Sequence, residues 1–150
     1  MKKYLTGVFL LLCMLLCLTG CGDGETHKAY TYSVETGDSI DIQMDTTGGY
    51  DITSEVPFAI SLDGETLSQG MFIAGENYEQ YVAVANTDKA ATVLDSGSYN
   101  GNEYVFWSYN DSEYNIAVKI EGSKTGLLLG NVVSEESARE CFERLTITVK

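Results

Sequence analysis

The chain has 150 residues, with nine basic side chains against 22 acidic ones and a formal net charge of −13. So acidic a balance argues against a nucleic-acid or anionic-membrane partner, since both demand a basic patch. Tyr, Val and Ile recur in alternating patterns, which separates the chain from acidic disordered segments, and its length suits one domain.

The first 21 residues form a unit of their own. Lys2 and Lys3 give a positive opening, the leucine-rich run from Leu5 to Leu18 an apolar middle, and small Thr19 and Gly20 precede Cys21. These are the three parts of a secretory signal. Leu18-Thr19-Gly20-Cys21 resembles the box of bacterial lipoprotein signals, which asks for Leu, a small residue, Gly or Ala, and then Cys. That resemblance implies cleavage before Cys21, a thioether-linked diacylglycerol on its sulfur, and attachment to the cell membrane on the extracytoplasmic side. The apolar run falls short of the roughly 20 residues of a spanning helix. The chain is therefore expected to be tethered rather than to span, two or more acyl chains giving a stable hold where one is marginal.

The organisation expected is a signal at 1–20, a lipid-anchored tether at 21–28 and a single extracytoplasmic domain at 29–150. Loss of Lys2 and Lys3 with the signal leaves seven basic residues against 22 acidic ones, a formal charge of −15. Cys13 and Cys17 leave as well and Cys21 carries the lipid, so Cys141 is the remaining thiol and no intramolecular disulfide can form.

Beyond the small, polar tether the pattern alternates. Tyr30-Thr31-Tyr32-Ser33-Val34 and Ile40-Asp41-Ile42-Gln43-Met44-Asp45 predict half-buried strands. Tyr50 to Ser54 and Phe58 to Leu62 read as further strands, with Pro57 opening the latter. Asp63-Gly64 is a hairpin signal that leads into a strand from Thr66 to Ile73. Over 76–86, Tyr78, Tyr81, Val82 and Ala85 fit a helical face, whereas Tyr81 to Ala85 alone fits a strand; helix is preferred.

Asn100-Gly101 predicts a two-residue type I′ hairpin. It sets Tyr99 opposite Asn102, Gly97 opposite Tyr104, Ser96 opposite Val105 and Leu94 opposite Trp107. A turn at Asn110 to Glu113 pairs Tyr109 with Tyr114, Trp107 with Ile116 and Val105 with Val118. Another at Gly122 to Thr125 pairs Ile120 with Leu127 and Val118 with Leu129. One face of this meander then carries Val105, Trp107, Tyr109, Tyr114, Ile116, Val118, Ile120, Leu127 and Leu129 without a charge, and the core is expected there. The opposite face would carry Tyr104, Phe106, Ser108, Asn115, Ala117, Lys119, Leu128 and Gly130.

Ser134 is the expected N-cap of a last helix, with Glu135 and Glu136 at its positive end and Val133 and Ala138 placed as a hydrophobic staple. Ala138, Cys141, Phe142 and Leu145 share one face, which makes Cys141 a buried thiol rather than a nucleophile. Leu145 to Val149 alternates as a closing strand. The fold class expected is α+β: an antiparallel, meander-rich sheet with a C-terminal helix packed on one face, and a second helix near 76–86. The order of hairpins, helix and final strand resembles the PsbP and Mog1 type of sandwich.

The chemistry is mostly exclusion. The one histidine, His27, falls in the tether, which argues against a Ser-His-Asp or Cys-His arrangement in the domain, and no Cys or His pair has zinc-ligand spacing. Gly122-Ser123-Lys124-Thr125 departs from the phosphate-loop pattern and reads as a turn; Asn110-Asp111-Ser112-Glu113 reads as turn chemistry rather than a calcium loop. No cofactor is expected. The reading is a non-catalytic binding or interaction module, set against a small carboxylate-dependent envelope hydrolase and a purely structural envelope role. Its partners would be the membrane, through Cys21, and an envelope protein or small ligand. Tyr104, Phe106 and Lys119 form the candidate binding surface: aromatic walls beside the small Ala117 and Gly130, with a cation for a carboxylate or a sugar; the alternative is that the N-terminal strands or the 76–86 helix cover this face as a second core layer, with Tyr104 packed over Gly97.

Overall fold

The computed structural model describes Gly24 and residues 26–150. Cys21, with the signal before it, lies outside the described residues. The described chain opens with β1 (His27–Ser33) and β2 (Ser39–Asp45), followed by β3 (Tyr50–Ile52), β4 (Phe58–Leu62) and β5 (Glu65–Ala74). Helix α1 (Tyr78–Thr87) leads to β6 (Ala91–Tyr99), β7 (Asn102–Tyr109), β8 (Glu113–Lys119) and β9 (Thr125–Asn131). Helix α2 (Glu135–Glu143) and β10 (Leu145–Val149) close it. Among the described residues the strands form two antiparallel sheets, one in the order β1-β2-β10 and one in the order β3-β4-β5-β9-β8-β7-β6. His27, read as tether, is instead the first residue of β1, exposed and opposite Asp45.

The larger sheet is covered on both faces. On one, the smaller sheet and α2 close a core that joins Ile40, Ile42 and Met44 of β2 to Phe58, Ile60, Phe106, Ile116, Val118 and Leu127. Alternation in β2 is the reason: its even-numbered residues are fully buried, while Asp41, Gln43 and Asp45 stay at least partly in water. On the other face α1 packs Tyr78, Tyr81, Val82 and Ala85 on Val105, Trp107, Ala117 and Leu128. The helix preferred over 76–86 is therefore present, and it covers the sheet with the stripe its spacing marks out.

The meander differs from expectation in register. Asn100 (φ 49°) and Gly101 (φ 85°) form the predicted hairpin, with Tyr99 opposite Asn102 and Gly97 opposite Tyr104. At the next turn Asn110 and Asp111 both take φ 51°, and Ser112 N–H donates to the Tyr109 carbonyl at 3.2 Å. Asn and Asp tolerate this left-handed conformation, so Tyr109 faces Glu113 rather than Tyr114. A one-residue slip moves every side chain to the other face. Phe106 now opposes Ile116 and Tyr104 opposes Val118, whereas Val105 opposes Ala117 and Trp107 opposes Asn115. The uncharged face expected to be continuous is divided between the two cores.

Val93, not Leu94, lies opposite Trp107, because a bulge between Val93 and Asp95 leaves Leu94 unpaired and packed on the main core. At the last turn Val118 opposes Leu127 and Ile116 opposes Leu129, a shift of two residues in their sum that keeps the faces intact.

Ser134 caps α2, its hydroxyl accepting from Ser137 N–H at 3.0 Å. The staple is absent, since Val133 is 55% exposed. Cys141 is 1% exposed, and burial pushes its thiol pKa up. In the folded protein Cys141 should resist a thiol-alkylating reagent and react on unfolding, a difference of about an order of magnitude or more in rate. Equal rates with and without denaturant would mean that α2 does not stay docked.

Candidate functional site

Phe106 is 1% exposed, on the core face of β7, with the Arg139 guanidinium 5.1 Å from its ring centroid. Tyr104, on the same face, lies 5.1 Å from Phe142 between ring centroids, and its hydroxyl donates to Asp95 at 3.0 Å. Asp95 also accepts from Arg139 at 2.9 Å, and that bond, first among several, holds its carboxyl below the usual carboxylate range. Lys119 sits on the opposite face, half-exposed and 3.9 Å from Glu103. The three residues expected to share a surface are thus divided by the sheet. Tyr104 and Phe106 are core, its ring lying beside the strand glycine Gly97 in the case of Tyr104.

The carboxylates at the end of α2 are likewise occupied in packing. Arg144 stacks on Tyr50 at 3.8 Å from the ring centroid and donates to the carbonyl of Thr47 at 3.0 Å. The Tyr50 hydroxyl donates to Glu140 at 2.8 Å, and burial, then that carboxylate, pushes its pKa up to about 12. Together they fasten α2 to the connection between β2 and β3. Among the described residues no group of three or more His, Cys, Asp or Glu is placed to hold a metal ion.

Among the described residues an open, mainly apolar cleft lies elsewhere, at the end of β5. Phe58, the first residue of β4, faces Gly70, and β5 continues for four further residues paired with β9 alone. The ladder stops at Pro57, a residue that sheets confine to strand starts, edges and bulges. The chain turns away there, leaving Val56 52% exposed and Met71 46% exposed. Facing this overhang is the β1–β2 turn, Val34 to Asp38, closed by Val34 N–H on the Asp38 carbonyl at 3.1 Å and by Gly37 at φ 91°. Its position is fixed from β9: Asp38 Oδ2 accepts from Lys124 N–H at 2.7 Å and from the Thr125 hydroxyl at 2.9 Å. The Thr36 and Thr125 hydroxyls meet at 2.6 Å.

Between these walls runs a cleft of ≈ 630 Å³, lined by Ser33 to Thr36, Val56, Pro57 and Met71 to Ala74. Its floor is stiff. Phe72 packs 5.2 Å from Tyr32 and 6.3 Å from Phe58 between ring centroids, and the Tyr32 hydroxyl donates to the Thr53 carbonyl at 3.1 Å. Burial, then the neighbouring Tyr30, pushes the Tyr32 pKa up to about 12, so the phenol remains a neutral donor at physiological pH. Val34, Val56, Met71 and Phe72 escaped the sequence reading as site residues. The signal was present in the unequal strands, Phe58 to Leu62 against Thr66 to Ile73, with a proline at the short one's start. The chain matches no family model and no curated protein.

Proposed function

We propose that the chain is a bacterial lipoprotein, held on the extracytoplasmic side of the cell membrane by lipid on Cys21, whose α+β domain is a non-catalytic binding module. The observation that carries the binding role is the cleft beside the β1–β2 turn. An aromatic floor and two half-exposed apolar side chains, Val56 and Met71, are left in water by an acidic chain. Concave apolar sites with a few polar groups at the rim are where ligands bind.

The anchor and the cleft suit one another. Five residues separate Cys21 from His27, a reach of about 20 Å at most. The cleft is at the other end of β1, about 20 Å further along the strand, so the tether leaves from the end opposite the site.

Both halves are open to test in intact cells. Cys21→Ser should abolish acyl labelling and change gel mobility, while the domain melts at an unchanged temperature because the residue precedes β1. Continued labelling would remove the anchor. A photo-crosslinking amino acid at position 71 should give a discrete adduct, and one at exposed Val93, on the far edge strand, should give none. Absence of an adduct from position 71 would sink the binding role of the cleft.

A further inference from the structure

Phe72 and Ala74 bear on what the cleft receives. Gly75 N–H donates to the Lys124 carbonyl at 2.7 Å, continuing the ladder in which Ala74 faces Thr125. Main-chain groups alternate sides along a strand, so Met71 and Ile73 turn theirs toward β9. Phe72 and Ala74 turn theirs the other way, as Gly70 does toward Phe58. Beyond Phe58 no strand among the described residues pairs on that side. Ala74 caps the 3-10 turn Gly75–Asn77 and keeps its carbonyl for it. Both main-chain groups of Phe72 and the N–H of Ala74 therefore face the cleft with no strand opposite.

We propose that the cleft binds an extended segment of another protein, basic residues alternating with apolar ones, which adds to β5 as a short antiparallel strand in line with β4. This rests on the binding role assigned to the cleft above. An open sheet edge is a template for such addition, main-chain bonds giving affinity and side-chain pockets specificity. The residue opposite Phe72 points to the same face as its ring, between Val34 and the aromatic floor, and so is apolar. Its neighbours point outward beside Met71 and Ile73.

Charge selects the rest of the occupant. Glu35 lines the cleft, exposed Glu55 adjoins Val56, and exposed Glu76 lies two residues beyond Ala74; Lys124, whose carbonyl meets Gly75, is in the loop that pins Asp38. Within a mature chain of seven basic and 22 acidic residues, this rim attracts a cationic segment and disfavours a second copy of the same protein.

The test uses the lipidated full-length protein in nanodiscs and a labelled peptide of alternating Lys and Val. Fluorescence anisotropy should show saturable binding, one peptide per chain, weakened by salt. An alternating Glu and Val peptide should not bind, and N-methylation of the basic peptide on alternate residues should weaken binding by about tenfold or more. On binding, amide exchange at Phe72 and Ala74 should slow by about tenfold or more, while Met71 and Ile73, already in the ladder, change little. Met71→Lys and Val56→Lys should weaken the peptide with no change in melting temperature, both residues being half-exposed.

Equal binding of the N-methylated peptide, or no slowing at Phe72, would overturn strand addition while leaving the cleft a binding site. A small neutral apolar dye bound where no peptide binds would overturn it in the same way. Peptide-independent dimerisation that protects Phe72 would assign the edge to a second copy and overturn the proposal. No adduct from position 71 in cells, by contrast, removes the binding role itself.

Discussion

Phe106→Ala should cost the domain about 3–5 kcal/mol, seen in chemical denaturation as a lower midpoint with an unchanged slope. The ring is 1% exposed and belongs to the main core, opposite Ile116 on β8. Arg139 covers it from α2, so truncation opens a void beneath a helix that the same arginine ties to Asp95 of β6. The backbone around it cannot easily collapse, since β7 is paired on both sides. The same substitution also reads the register of the meander. With Tyr109 opposite Tyr114, Phe106 would stand on the face first read as open, and its loss would cost little stability. A measured cost below about 1 kcal/mol, the range of surface substitutions, would therefore reject the observed pairing of β7 with β8.

That contrast marks where the sequence was legible. Element type followed from local pattern: the even positions of β2, the stripe on α1 and the cap at Ser134 each depend on residues close in the chain. The Asn100-Gly101 register was equally local, because one turn type satisfies both residues. The turn at Asn110 was not. Asn-Asp-Ser-Glu permits three or four residues in the loop, and the choice rests on two left-handed residues in succession, which composition does not dictate. One residue of ambiguity there reassigned Val105 and Trp107 to the α1 side and with them the whole candidate surface. The bulge at Leu94 is of the same kind, since nothing beside it announces an extra residue. The smaller sheet's place over one face was hidden for a different reason, as it depends on β10 returning to pair with β2 across most of the chain. The overhang of β5 was within reach, because strand lengths and Pro57 are local.

One side chain ties three segments of the two sheets together, and Asn102→Leu should expose its share. Asn102 begins β7 opposite Tyr99 and is 5% exposed. Its amide N–H donates to the Ile147 carbonyl at 2.9 Å, and its oxygen accepts from Glu121 N–H at 2.9 Å. Three segments thus meet at one amide: the hairpin of the larger sheet, the loop after β8, and β10 of the smaller sheet. Leucine fills nearly the same space but leaves both main-chain groups without a partner. The Ile147 carbonyl is the buried one of the two, and a buried, unsatisfied group costs about 1–3 kcal/mol, so the loss should fall in that range. The neighbouring Asn100 reaches the Leu145 carbonyl only at 3.5 Å and cannot take over. Because β10 has one strand neighbour, β2, losing this bond should also loosen it locally. Amide exchange in residues 145–149 should accelerate more than exchange in β8, which is paired on both sides. A uniform acceleration would show global unfolding alone, and a cost below about 1 kcal/mol would show that packing, not this amide, holds the two sheets together.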